Sequence, residues 1–320
     1  EKYYITTPIY YVNDKPHIGH AYTTILADTI SRFRALIGEK PTFLTGLDEH
    51  GLKVQQAAEK NGKAPQDHCD SMAPAFIDLW KKLNINYSDF IRTTEHRHTK
   101  IVQQILTKVH ESGDIYMDEY EGWYSISEER FITEKELDSG QFGEVKQIKE
   151  KNYFFRMSKY QATLIDKIEK DELLIQPKSR KNEVLGFLKN ELSDLCISRP
   201  KSRLEWGIEL PFDDNYVTYV WFDALINYIS AIGAYSNDEH FSSLWPADVH
   251  LIGKDILTTH SVYWPTMLLS LGLPLPQRIF AHGWWLTDDQ KMSKSLGNVV
   301  SPLMLIDDFG VDSVRYYLMS

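Results

Sequence analysis

KYYITTPIYYVNDKPHIGH, residues 2–20, is the stretch on which the fold turns. Residues 2–11 alternate with a strand period and favour β-branched and aromatic types, which suit a pleated surface. Asn13-Asp14-Lys15-Pro16 has turn chemistry, and beyond it an apolar helical period runs through Leu26, Ile30, Phe33 and Ile37 to a stop at Gly38. Thr42-Phe43-Leu44-Thr45-Gly46 predicts a second short strand that delivers Asp48, Glu49 and His50 at its end. Strand, helix and strand in that order predict a parallel βαβ unit, and so an α/β chain.

Working outward, a cap at Thr94 opens a helix with Val102, Ile105, Leu106 and Val109 on one face, ending near Gly113. The character then changes: from 114 to 205 aromatic and charged residues interleave, as in EYEGWYSISEERF and EKNYFFRMSKY, which predicts an inserted region. Val249-His250-Leu251-Ile252 followed by Gly253-Lys254-Asp255, and Arg278-Ile279-Phe280-Ala281 followed by His282-Gly283, resume the earlier style. The expected division is 1–113 for the first half of a parallel-sheet domain, 114–205 for the insertion, 206–298 for the second half and 299–320 for the start of a further region. Open parallel sheets bind ligands beyond the carboxyl ends of their strands. That rule marks Pro16 to His20, Asp48 to His50, Gly253 to Asp255 and His282-Gly283.

The 320 residues, 42% hydrophobic and 25% charged, suffice for one large domain or two of ordinary size. A formal charge of −10 argues against a surface that grips nucleic acid throughout, leaving two short basic tracks, Lys178 to Lys181 and Arg199 to Arg203, as local candidates. Cys69 and Cys196 are too few for a disulfide framework or an all-cysteine zinc site and are expected to be reduced core residues. The first dozen residues lack the basic and apolar regions of a signal peptide, and no apolar run approaches the roughly 18 residues of a membrane span. An intracellular chain without a membrane partner is therefore expected, and its non-Met start and helical end suggest a piece of something longer.

Two motifs carry chemistry. PHIGH, 16–20, stands between a strand and a helix N-terminus, where free amides and the helix dipole favour phosphate. Gly19 would let a nucleotide approach the backbone closely. QKMSKSLGN, 290–298, places two lysines on a polar loop suited to clamping phosphates.

Together these motifs resemble the HIGH and KMSKS signatures of class I aminoacyl-tRNA synthetases. Across essentially the whole chain, TTPIYYVND before PHIGH, FLTGLDEHG at 43–51, EGWYS at 121–125, NYFFRMSKY at 152–160, YVWFDALINY at 219–228, HLIGKDILTTHSVYWP at 250–265 and AHGWW at 281–285 are similar to the methionyl-tRNA synthetase family. The resemblance implies a Rossmann-type parallel-sheet catalytic domain split by a connective insertion that faces the tRNA acceptor stem. It implies activation of L-methionine by ATP, with Mg2+ as part of the substrate complex, and transfer to tRNA(Met) in the cytoplasm or an organelle matrix. His17, His20, Lys291 and Lys294 would be catalytic. Ile9, Tyr11, Trp221, Ala224, Leu225, Tyr228, Ile256 and His260 would form the methionine pocket, with Asp48 on the ammonium group. Gly253 and Asp255 would hold the ribose, His282, Gly283 and Trp284 would line the base, and His17, Gly19, His20 and Lys294 would face the phosphates. Aromatic edges suit methionine's polarizable sulfur.

One departure from that family matters. Ser125 and Glu128 stand where members with a zinc knuckle begin their ligand set, and 114–195 contains no cysteine, so no structural zinc is expected. An insertion of this length is also too small for the editing domain of the isoleucyl, valyl and leucyl enzymes. The other readings are another class I enzyme, such as a cysteine or glutamate one, a non-catalytic synthetase-like RNA-binding paralogue, and an NAD-dependent dehydrogenase. The last is disfavoured because no GxGxxG follows the first strand.

Overall fold

The structure, a computed structural model, describes residues 1–287, 289–292 and 296–320. Its frame is a six-stranded parallel sheet built on β1 (Lys2–Tyr11), which pairs with β2 (Lys40–Asp48) on one side and with the strand Val249–Gly253 on the other. Next to β2 lies β3 (Asp89–Arg92); beyond Val249–Gly253 come Arg278–His282 and then Leu174–Gln176. The strand order reverses at β1.

That central place changes how β1 must be understood. Tyr3 to Pro8 are all buried, so the strand is buried continuously and not on alternate residues. A strand covered on both faces in a parallel sheet has no solvent side to reserve for polar residues. Its threonines find partners inside: Thr7 Oγ1 donates to Thr45 Oγ1 at 2.7 Å, and Thr6 Oγ1 lies 2.6 Å from His250 Nδ1. Strand packing is close enough at Gly46 that an added Cβ would come within 2.0 Å of the Ile91 carbonyl oxygen.

α1 (Ile18–Leu36) follows β1 directly, with its N-terminus at the strand's carboxyl end. The face expected from Leu26, Ile30, Phe33 and Ile37 is corrected in its second half: Leu26 and Ile30 pack against a core cluster, but Phe33 and Ile37 are more than half exposed, and the buried face carries Ala21, Thr24, Ile25, Ala27, Asp28 and Ser31. Small residues let the helix approach the sheet closely. α2 (Leu52–Lys60), α3 (Pro65–Lys82) and α4 (His96–Glu111) complete the first half. Val102, Ile105, Leu106 and Val109 of α4 are buried as expected, although the N-cap is Glu95 and the Thr94 hydroxyl instead donates to Glu49.

The stretch 114–205 is not spatially uniform. Ile115–Ser125 and Val145–Phe155 form a long antiparallel ribbon flanked by Arg130–Ile132 and Leu195–Cys196, and Ser198–Pro200 joins Glu209–Leu210 and Asp213–Thr218 in a second small sheet. Leu174–Gln176, however, is an edge strand of the parallel sheet. The chain thus returns to the main sheet in the middle of the region expected to lie outside it. The basic tracks there are largely neutralised: Arg180 pairs with Glu183, Lys181 with Asp171, Lys201 with Glu209 and Arg203 with Glu150, while Arg199 is buried. Cys69 is a free, fully buried core thiol and Cys196 is free and half-buried, against the expectation of two core cysteines.

At the end of the chain, the helices Pro302–Phe309 and Val311–Met319 lie against the first half. Arg315 bonds buried Asp28 of α1 at 2.6 Å and the Leu83 carbonyl at 2.8 Å. No described helix is long and apolar enough to cross a membrane.

Candidate active site

The reversal of strand order at β1 opens a crevice at its carboxyl end, between β2 and Val249–Gly253. Tyr11 and Asp48 are register partners at the ends of β1 and β2. Asp48 is 3% exposed, and its Oδ1 has no hydrogen-bond partner. Burial, reinforced by the nearby carboxylates of Asp223, Glu129 and Glu49, holds its pKa well above the usual carboxylate range. A cationic group placed at Oδ1 would relieve that cost.

The two residues after Asp48 are already satisfied. Glu49 receives two of the Arg92 guanidinium nitrogens, Nε at 2.9 Å and Nη2 at 2.8 Å, and the Thr94 hydroxyl at 2.8 Å. His50 Nδ1 meets Asp223 Oδ2 at 2.6 Å, and the other oxygen of Asp223 meets His98 Nε2, also at 2.6 Å. These pairs fix the chain beyond β2 and leave Asp48 Oδ1 as the unpartnered carboxylate oxygen there.

The Tyr11 and Tyr228 phenols lie near enough to Asp48 to feel its charge, and both belong to an apolar set. Ile9, Tyr11, Trp221, Leu225, Tyr228 and Ile256 belong to or pack against one cluster, and Ala224 is buried in the same short helix, Val220–Leu225, as Trp221 and Leu225. His260 Nδ1 donates to the Ile256 carbonyl at 3.0 Å, so its Nε2 accepts the Tyr228 phenol proton at 2.6 Å. Burial lowers the His260 pKa to about 4, which keeps the ring neutral and this arrangement intact.

Across the crevice, the N-terminus of α1 is closed by its own histidines. His17 Nδ1 accepts from the Gly19 amide at 3.0 Å, and His20 Nδ1 accepts from the His17 amide at 3.2 Å, a reciprocal capping box. The rings stack with centroids 3.7 Å apart. Desolvation lowers both pKa values, further for His20, which also feels His17. With each Nδ1 used as an acceptor, each neutral ring carries its proton on Nε2, leaving two N–H donors at a helix N-terminus. A Cβ at residue 19 would fall 2.8 Å from His17 Cε1, so glycine is required to seat the ring.

The second half of the sheet completes this edge. Gly253 and His282 are register partners; His282 Nδ1 donates to the Gly283 carbonyl at 2.8 Å, and its Nε2 accepts from the Thr23 hydroxyl of α1 at 2.6 Å. Trp284 Nε1 donates to Asp255 Oδ1 at 3.4 Å, and the Nζ atoms of Lys254 and Lys291 each lie 4.0 Å from the Trp284 ring centroid. Lys291 sits in the short hairpin of Leu286–Thr287 and Gln290–Lys291, while Lys294 lies outside the described residues. His17, Gly19, His20, Gly253, Asp255, His282, Gly283, Trp284 and Lys291 are thus linked into one group at the carboxyl edge of the sheet, and Asp48 with its apolar neighbours forms a second group at the ends of β1 and β2.

Sequence reasoning missed two participants: Thr23, one turn beyond PHIGH, which meets His282, and Glu129, which reaches Tyr11 from the insertion. Lys254 lies inside the marked stretch Gly253 to Asp255 but has no role assigned from sequence. Among the described residues no group of three or more histidine, cysteine or acidic side chains converges as a metal site. The Ser125 hydroxyl donates to the Phe142 carbonyl at 2.9 Å and accepts from the Glu128 amide at 3.2 Å, so these positions do not fit a zinc knuckle.

The family model described as tRNA synthetases class I (M) matches residues 3–141 and 138–320. A methionine–tRNA ligase of Clostridium tetani is 53% identical over 323 residues, 99% of this chain and 50% of that protein. Its counterpart in Bacillus subtilis is 49% identical over 334 residues, again 99% and 50%. The chain therefore spans about half the length of the curated relatives it matches. Among solved structures, Mycobacterium tuberculosis methionyl-tRNA synthetase in complex with methionyl-adenylate superposes with a TM-score of 0.95 at 43% identity, covering 100% of this chain and 64% of that one. The apo form from the same organism gives 0.80 at 39% identity, over 100% and 61%.

Proposed function

The chain belongs to the class I tRNA synthetases of the M family, and on that basis we propose that it is the catalytic portion of a methionine–tRNA ligase. It condenses L-methionine with ATP, supplied as its Mg2+ complex, to methionyl-adenylate and pyrophosphate, and passes the methionyl group to the 3′ end of tRNA(Met). It works where tRNA is charged, in the cytoplasm or an organelle matrix.

One observation carries this reading: a buried carboxylate, Asp48, with an unpartnered oxygen, set beside an apolar aromatic wall and across from a helix N-terminus. The substrate ammonium group supplies the missing cation, and the thioether chain lies against Tyr11, Trp221 and Tyr228, whose edges interact well with sulfur. The methionine carboxylate attacks the α-phosphorus of ATP. A new P–O bond forms as the bond to the β-phosphate oxygen breaks, and pyrophosphate leaves.

Nothing in this step needs a protein nucleophile. His17 and His20 donate through Nε2–H to phosphate oxygens, and Lys291 and Lys294 meet the charge that builds on the leaving group. Such groups act through positioning and electrostatic preorganisation. Asp255, Gly253, His282, Gly283 and Trp284 receive the nucleoside, the indole giving up the ammonium groups of Lys254 and Lys291 when the base stacks in their place and the phosphates draw the lysines off.

The test is amino-acid-dependent exchange of pyrophosphate into ATP, run with each of the twenty amino acids, magnesium and no tRNA. Exchange with methionine alone is expected. Exchange with another amino acid would overturn the pocket but keep the chemistry, and no exchange in a folded, ATP-binding sample would overturn both.

A further inference from the structure

A carboxylate of the inserted region, that of Glu129, reaches the end of β1. Glu129 lies in the turn between Ile115–Ser125 and Arg130–Ile132, is 5% exposed, and has φ +54°. A buried, non-glycine residue in that backbone region is sustained only where its surroundings hold it. Here the Glu129 carbonyl accepts from the buried guanidinium of Arg199, which itself rests on the Tyr124 and Tyr219 rings at 5.1 and 4.7 Å from their centroids.

With the main chain held in this way, the Glu129 side chain points out of the insertion and into the catalytic half. Its Oε2 accepts the Tyr11 phenol proton at 2.7 Å, and its Oε1 accepts the Lys53 amide, in the first turn of α2, at 2.9 Å. Gly51 makes room for the meeting. A Cβ there would stand 2.2 Å from the Tyr11 oxygen and 3.3 Å from each Glu129 carboxylate oxygen. α2 has no side-chain cap from its own N-cap residue, Gly51, so a remote residue fills that role.

We propose that Glu129 is a positioning residue for the amino-acid pocket: by holding the Tyr11 hydroxyl it sets the ring against the substrate side chain and ties the pocket's shape to the seating of the insertion. This rests on the reading of Tyr11 as a pocket wall. Without Glu129 the half-buried Tyr11 loses the hydrogen bond its hydroxyl makes here, and its ring would turn to find another acceptor. Glu129 touches no reacting atom, and its loss changes the fit of methionine and leaves the chemistry of ATP alone.

The experiment compares Glu129→Ala, Glu129→Gln, Tyr11→Phe and the Glu129→Ala/Tyr11→Phe double variant in methionine-dependent pyrophosphate exchange, each after its thermal midpoint has been measured. The expected result is a KM for methionine raised about 10-fold in Glu129→Ala and less in Glu129→Gln, whose amide oxygen still accepts one of the two bonds. The KM for ATP and kcat should stay within about threefold, and the double variant should be no worse than the poorer single one. A fall in kcat at unchanged KM, or losses that multiply in the double variant, would overturn the proposal and leave Glu129 a helix cap. A crystal structure of Glu129→Ala with Tyr11 unmoved would overturn it whatever the activity. Failure of the wild-type chain to exchange with methionine is a separate result that overturns the functional reading itself.

Discussion

At the scale of single residues, Asp48 and Gly19 carry the clearest consequences. Burial raises the pKa of Asp48, and an ammonium group at Oδ1 favours the ionised carboxylate, so methionine binding lowers that pKa and draws off protons. Calorimetric titration with methionine in two buffers of different ionisation enthalpy should therefore show net proton release, with affinity rising as pH rises. A buffer-independent heat would contradict this. Asp48→Asn should weaken methionine binding about 100-fold, since the uncompensated ammonium loses its charged partner. Gly19→Ala tests the other edge: its Cβ meets His17 Cε1 at 2.8 Å, so the ring must shift. kcat should fall about 10- to 100-fold with the KM for methionine within about twofold; an equal rise in KM would mean that the helix start, not the phosphate contact, was lost. Asp48 and Gly19 were legible because each belongs to a short motif at a strand end or helix start. Glu129 was not, because its partner Tyr11 lies more than a hundred positions away and nothing in SEER distinguishes one glutamate from its neighbour.

Between elements, the coupling that deserves a test is that of α1 to the helix Val311–Met319. Asp28 is fully buried and receives Arg32 at 2.8 Å, Arg315 at 2.6 Å and the Asn86 amide at 2.7 Å. Arg315→Ala leaves Asp28 two of its three donors, and should destabilise the protein by about 1–3 kcal/mol, read as a lower midpoint in thermal or denaturant unfolding. A midpoint unchanged within error would show that the contact contributes nothing. The helix also follows the 290–298 segment, so a fall in kcat larger than the lost stability explains would show that α1 helps to seat that loop. Elements were legible from sequence in proportion to how local their signals are. α4 showed its four buried apolar residues plainly, but α1 was misjudged in its second half, since Phe33 and Ile37 fit a helical period as well as the alanines and threonines that pack. Leu174–Gln176 was missed because a three-residue edge strand is defined by its partner, Arg278–His282, and not by its own composition.

For the molecule as a whole, buried neutral histidines make stability depend on pH. His250 and His260 are fully enclosed, and burial lowers both pKa values, His260 to about 4. The unfolded chain protonates its histidines near 6.5, so the stability these residues leave intact above that pH is lost as the pH falls from about 6.5 toward 4. Asp48, with its raised pKa, leans the other way but is one group against several. The thermal midpoint should drop by roughly 5–10 °C between pH 7 and 4.5; a flat profile would mean these rings titrate freely in the folded state. The fold class and the two edges of the crevice could be read from the sequence because the α/β pattern recurs at both ends of the chain, whereas the insertion's return to the sheet could not. The same architecture sets a schedule for manufacture. During synthesis β1 precedes its second flank, Val249–Gly253, by some 240 residues. At about 5–20 residues per second this central strand waits roughly 10–50 s with one edge open, an interval in which a nascent chain can bind neither ligand nor resist pairing with a neighbour.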